Sequence, residues 1–378
     1  MNMVLNDVCE VYSGYALKSF NEGKEGFPVI KIGNILTDGR LSLEDCQYTT
    51  ETVNTKYYSQ KDDVYVALSG ATTGKIGLME TDESYVINQR VGVVRRKDKK
   101  IPSRFIKYFL LKQTERILQE AAGCAQPNIS PKQIGAYTFP SFSSEKMEEI
   151  TRELDKVTNV IQYRYKQNNL LDCLIKARFV EMFGEGLRDD GRFPLLPISH
   201  IGKVVSGATP KTTKENYWDG DNIWITPAEL SDKSFIVCDS DRKITDEGVK
   251  SCAVNLLPVG TVILSSRAPI GKVAIAGVPM YCNQGFKNII PNEKINSIYL
   301  FELLSMETKF LNSLGRGATF KEISKQIVES INVKVPPIQM QEQFADFVKQ
   351  IDKSKVAVQK ALDEAQLLFD SLMQEYFG

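Results

Sequence analysis

Apolar residues fall on an alternating four-then-three stripe through residues 143–184: Ile150, Leu154, Val157, Ile161, Leu171, Ile175 and Met182, with no Pro or Gly before Gly184. That spacing predicts one long helix carrying a coiled-coil seam. A second stripe begins 194 residues further on: Phe344, Val348, Ile351, Lys355, Val358, Leu362, Ala365, Phe369, Leu372 and Tyr376. The first copy ends EMFG and the second EYFG. Each helix is too apolar on one side to stand alone in water, and the two have the same length, so they are predicted to pair with each other.

The stretches between the helices read differently. Residues 1–142 show short β-rich runs, PVIKIGNI, DVYVAL and YVINQRVGVV, separated by Gly, Asn and Asp turns. One helix is predicted over Ser103–Ala122, where Phe105, Tyr108, Phe109, Ile117 and Leu118 recur at helical intervals between Pro102 and Gly123. A polar, Gly-rich break, GEGLRDDGRFP, follows the first long helix. Residues 185–335 then repeat the first domain. Val11, Ser13 and Gly14 correspond to Val204, Ser206 and Gly207, and DVYVALSGATTGKIG aligns with GTVILSSRAPIGKVA, so that Gly74-Lys75 meets Gly271-Lys272. Asn88-Gln89 meets Asn283-Gln284, and GCAQPNIS meets GATFKEIS. The matched positions lie 193 to 197 residues apart, which marks a tandem duplication. The reading is an α+β chain of four parts: a β-rich domain (1–142), a long helix (143–184), a second β-rich domain (185–335) and a second long helix (336–378), with the helices pairing as an antiparallel coiled coil.

Composition narrows the class. At 378 residues, 42% hydrophobic and 25% charged, the chain reads as an ordinary soluble protein of two or three domains. Seven scattered cysteines without a CxxC pair argue for thiols in a reducing cytoplasm, against a disulfide framework or a zinc site. No signal peptide or membrane-length apolar run is evident, so no membrane is expected. Lys plus Arg equals Asp plus Glu at 47 each, which argues against a protein that grips DNA unaided.

Catalytic signals are sparse. His200 is the single histidine, lies in an apolar strand-like run, has no counterpart in the first repeat and reads as structural. GATTGK at 70–75 invites a phosphate-loop reading, but it is one residue short between glycines and places Ile76 where Ser or Thr should hold magnesium; a tight hairpin turn with a solvated lysine, or a DNA-phosphate contact by Lys75 and Lys272, remain as readings. Neither methyltransferase signature is visible. Glu153 and Lys156 read as solvated helix surface.

A binding reading has more support. The predicted loops of the first repeat carry Tyr15, Lys18, Lys31, Thr72, Thr73, Lys75, Arg90, Gln126 and Asn128. Those of the second carry Lys211, Lys214, Tyr217, Trp218, Arg267, Lys272, Lys287, Arg316 and Lys321. Arg and Lys suit guanine edges, Asn and Gln suit adenine, and Ser, Thr and Lys reach phosphates. The Asn-Gln pairs recur in both repeats, so they are either structural or base-reading.

Two variable β-rich domains alternating with two similar helices, the SG near each domain start, the GK turns, NQG at 283–285, GATFKEIS and the VPPIQMQEQ lead-in to the last helix together resemble the DNA specificity subunit of type I restriction-modification systems. The resemblance covers the whole chain and departs at FPSFSSEK, where the family pattern has proline followed by EQ. It implies a non-catalytic protein whose two target recognition domains each read half of a split, asymmetric double-stranded DNA site, with the paired helices as spacer. It further implies two docked methyltransferase subunits using S-adenosylmethionine, and restriction subunits using ATP and magnesium, with no cofactor on this chain. A helix of about 39 residues spans roughly 58 Å, which suits half-sites one to one and a half DNA turns apart. Polar seam positions at Arg164, Asn168, Arg178 and Lys355 either set register or form docking surface. Two alternatives stay open: a stand-alone methylation-specificity module without a restriction subunit, and a nucleotide-handling enzyme using the GK turns.

Overall fold

The computed structural model describes residues 2–122, 127–230, 235–267, 269–316 and 321–378. The chain forms two compact units, one of Met1–Tyr165 with Lys360–Gly378 and one of Lys166–Gln359. Both long helices are continuous 40-residue elements, Ser144–Phe183 and Ile338–Phe377, and each contributes a part to each unit.

Among the described residues of the first unit, a four-stranded sheet runs in the order Cys9–Ser13, Val91–Arg96, Val64–Ala67, Ile76–Leu78. A three-stranded sheet has Phe27–Ile30 between Gln47–Thr49 and Val86–Ile87. Every position of Val64–Ala67 is buried. Val64 and Val66 join the core that holds Phe105 and Phe109, while Tyr65 and Ala67 join the one that holds Ile30 and Ile87. A strand covered on both faces has no use for alternation, which is why DVYVAL reads as a continuous apolar run.

The second unit repeats this plan. Its main sheet has the order Gly202–Ser206, Lys287–Pro291, Val262–Leu264, Val273–Ala276, Ile236–Val237, and its second sheet places Trp218–Ile225 between Lys243–Ile244 and Tyr281–Cys282.

Within each unit the long-helix segments pack on each other and on the domain helices. In the first, the Phe105 ring lies 5.1 Å from that of Phe377, and the Tyr376 hydroxyl donates to Glu153 at 2.6 Å. In the second, Asp172 pairs with Lys355 at 2.6 Å and Phe183 packs on Phe344 at 5.6 Å, so the two helices run in opposite directions there.

The structure redraws several predicted details. Ile150, Leu154, Ile175, Phe344, Val348, Val358 and Leu362 are buried, and Val157, Ile161, Leu171, Ile351 and Phe369 are half-buried. Near the helix C-termini the buried stripe runs through Phe179 and Phe183, and through Met373 and Phe377, while Met182, Leu372 and Tyr376 are only half-buried. A heptad stripe drifts against the 3.6-residue turn of a straight helix, and steps of four bring the stripe round to the domain core. Arg178 pairs with Glu181 of its own helix at 2.8 Å, and Lys355 pairs across the helices of its unit with Asp172 at 2.6 Å.

The single helix expected over Ser103–Ala122 is two, Ser103–Lys112 and Thr114–Ala121. The Gln113 N–H bonds to the carbonyls of both Phe109 and Leu110, which tightens the turn and breaks the helix there. Ile117 then reaches the core, and Leu118 is exposed. His200, expected in a strand, stands exposed on the short helix Ile198–Ile201.

Candidate nucleic-acid interface

In the first unit, backbone hydrogen bonds join several chain segments at one end of the sheets. The Tyr15 N–H donates to the Ile87 carbonyl at 2.7 Å, and the Gln89 N–H returns to Tyr15 at 2.8 Å. The Asn88 N–H reaches Ile30, the Leu68 N–H reaches Arg90, and the Ile129 N–H reaches Leu68. The second unit has the same stitching: Ala208 to Cys282 at 3.0 Å, Asn283 to Ile225 at 3.1 Å, Ser266 to Gly285 at 2.7 Å and Ile323 to Ser266 at 3.0 Å. Each unit thus presents a rim of loop segments held by main chain, leaving side chains free to differ.

The repeated sequence marks are the fixed points of these rims. A methyl group at Gly14 would land against the carbonyl oxygens of Ile87 and Asn88, and one at Gly207 against those of Cys282 and Asn283, so the SG glycines permit the close crossing. The side chains of Asn88 and Asn283 each accept the N–H two residues on, from Arg90 at 3.2 Å and Gly285 at 2.9 Å, which gives both asparagines a turn-forming role. Gln89 and Gln284 are exposed beside them. Gly74 and Gly271 adopt φ of 84° and 89° and close the hairpins Val64–Ala67/Ile76–Leu78 and Val262–Leu264/Val273–Ala276. A GK turn between two strands offers no helix N-terminus to a nucleotide phosphate, which removes the basis of the nucleotide-handling reading. We predict that Gly207→Ala destabilises the second unit by roughly 1–3 kcal/mol, because backbone carbonyls cannot yield as side chains do. Urea denaturation beside Ser206→Ala as a control checks this.

The predicted contact residues separate by placement. Lys18, Arg90 and Asn128 are exposed in the first unit, and Lys211, Lys214, Arg267, Arg316 and Lys321 in the second. Tyr15 is half-buried, with its ring 5.3 Å from that of Tyr57, and Lys75 and Tyr217 are also half-buried. Gln126 lies outside the described residues. Others are committed inward. The Lys31 ammonium donates to Gln47 and sits 3.4 Å from the centre of the Phe20 ring, and burial lowers its pKa. The Thr73 hydroxyl donates to the Gly70 carbonyl at 2.7 Å, and Thr72 Oγ1 is buried. Lys272 Nζ donates to the Leu230 carbonyl at 2.7 Å. Trp218 is buried, its Nε1 donating to the Lys211 carbonyl at 3.3 Å beneath the Arg242 guanidinium, so it shapes the Lys211 loop. Lys287 is buried and pairs with Glu322 at 3.1 Å. Glu322, which pairs with both Arg267 and Lys287, is not among the predicted contact residues because a carboxylate lacks the cationic or amide chemistry expected of them; its place in GATFKEIS, a repeated element, is the signal in the sequence.

The profile of the type I restriction modification DNA specificity domain matches residues 1–172 and 196–365. The chain belongs to this family. The MjaIX specificity subunit of Methanocaldococcus jannaschii is 37% identical over 186 residues, covering 47% of this chain and 43% of that one, so the match spans less than half of that relative. The putative MjaX specificity subunit of the same organism is 24% identical over 400 residues, covering 94% and 89%. The type I S subunit of M. genitalium shares the fold, with a TM-score of 0.61 at 16% identity over 100% of this chain and 96% of that one.

Each matched stretch contains one rim, so the chain carries two DNA specificity domains in tandem. The family is one of specificity subunits, generally without catalysis of their own. Among the described residues, none of the helices is long and apolar enough to cross a membrane.

Proposed function

We propose that this chain is the DNA-reading subunit of a type I assembly, each rim reading one half of a two-part asymmetric site. The observation that carries this reading is that one backbone rim occurs twice with different side chains on it. Arg90 and Asn128 occupy the first, where the second has Gly285 and Glu322. A shared frame with divergent side chains suits two domains that read different sequences by the same docking geometry.

In this reading the chain itself performs no chemistry. Two methyltransferase subunits dock on it, bind S-adenosylmethionine and methylate adenine, while restriction subunits supply the ATP- and magnesium-dependent activities. The uninterrupted long helices serve as the spacer. The balanced charge of 47 basic and 47 acidic residues supports shared DNA binding, since partner subunits would add phosphate contacts.

The test is co-expression with a cognate methyltransferase and mapping of methylated adenines. A two-part motif with an unread spacer is expected; a contiguous motif would overturn the proposal. Deleting one heptad from each long helix shortens the pair by roughly 10 Å. That is about 3 base pairs at ~3.4 Å each, so the spacer should shrink by about that number while both half-sites stay the same. An unchanged spacer would refute the ruler role.

A further inference from the structure

We infer that Arg267 reads a guanine in the half-site of the second rim and that Glu322 is the positioning residue that fixes it, an inference resting on the reading above. Arg267 follows Ser266, which is fully buried and stitched on both sides, to Gly285 at 2.7 Å and Ile323 at 3.0 Å. Its Nη2 donates to Glu322 Oε2 at 2.9 Å, while Lys287 Nζ takes Oε1 of the same carboxylate at 3.1 Å. Lys287 is buried and also lies 3.4 Å from Ser266 Oγ. Backbone bonds between Arg316 and Glu322, at 3.0 and 3.1 Å, hold the carboxylate from its own side. Burial pushes the Glu322 pKa up, but the hydrogen bonds from Arg267 and Lys287 outweigh it and keep the carboxyl below its ordinary value.

The result is a guanidinium with one corner tied to a rigid base and a side chain still 46% exposed. Five N–H donors in a planar fork leave enough for a second, two-point contact, and the commonest such contact in the major groove is Arg to O6 and N7 of guanine. A phosphate contact requires no such orientation and gains nothing from an adjacent carboxylate, whereas base reading depends on a fixed angle of approach. Exposed Arg316 and Lys321 on either side offset the Glu322 charge toward the DNA backbone. The first repeat has Gly70, Asn128 and Gly92 at the three equivalent positions, so this arrangement belongs to one domain and not to the shared frame.

The experiment maps methylated adenines in cells carrying the full chain with its methyltransferase, as wild type, Arg267→Ala, Arg267→Lys and Glu322→Gln. Arg267→Ala is expected to relax a single G·C position in one half-site, with roughly a 10- to 100-fold loss of discrimination there. The other half-site and the spacer should be unchanged. Arg267→Lys should not restore the preference, because an ammonium lacks the fork. Glu322→Gln should relax the same position to a smaller extent, a readout that general loss of stability would not produce. A wild-type two-part motif that Arg267→Ala leaves intact, or methylation that weakens evenly over all sequences, would overturn the inference alone. A wild type directing no two-part motif would overturn the reading beneath it as well.

Discussion

Phe344→Ala is expected to destabilise the second unit by about 3–5 kcal/mol. Phe344 is fully buried and packs against the rings of Phe179 and Phe183 at 5.4 and 5.6 Å. Phe183 in turn meets Tyr299 edge-on at 4.8 Å, and Phe179 stacks on Tyr299 at 5.5 Å. The Tyr299 hydroxyl donates to the Lys334 carbonyl at 3.1 Å, so one aromatic cluster joins both long-helix segments of this unit to its domain helix and to the strand Asn332–Lys334. Truncating the Phe344 ring leaves a cavity that Phe179 and Phe183 cannot fill without giving up their own packing on Tyr299. Guanidinium denaturation should show the loss, and Leu368→Ala, at an exposed position, should move stability by less than about 0.5 kcal/mol. A loss near 1 kcal/mol for Phe344→Ala would mean that the cluster is not the joint described.

Glu302→Gln is expected to stabilise the second unit above neutral pH. Burial raises the Glu302 pKa from 4.5 to about 7; Lys176 and Lys355 oppose the shift, and Asp172 and Asp352 add to it. The pKa of Asp352 is itself raised, first by burial. Between those two values the folded chain holds a proton that the unfolded chain has released, so stability falls as pH rises across that window and stays lower above it. A carboxamide carries no charge at any pH. The variant should therefore gain up to about 3 kcal/mol near pH 8 and nothing near pH 4.5. Parallel stability profiles for the two proteins would refute the assignment. At the equivalent position of the first repeat stands Lys107, also buried and with its pKa lowered by burial, so both domains place an ionisable group in an enclosed position.

Much of this was legible in residue order. The two stripes ending EMFG and EYFG gave the long helices within two residues at each end, because an uninterrupted heptad pattern without Pro or Gly has one stable outcome. The duplication also located the rims, since Ser13-Gly14, Gly74-Lys75 and Asn88-Gln89 recur where close approach, positive φ and an Asx turn demand those residue types. Side-chain commitment was not legible. Lys31, Lys272, Lys287 and Trp218 have the chemistry of contact residues, yet each is held by a partner distant in sequence or buried by the fold.

Residue order alone sets the repeat, the helices and the glycines on which the rims turn, because periodicity and backbone geometry are local properties. Three-dimensional packing settles which cations face outward, that Glu322 joins Arg267 to Lys287, and that the seam ends on Phe179, Phe183, Met373 and Phe377. The two ion pairs of Glu322 join residues 35 and 55 positions apart along the chain, and the seam ends on contacts between residues separated more widely still, so no spacing rule carries that information.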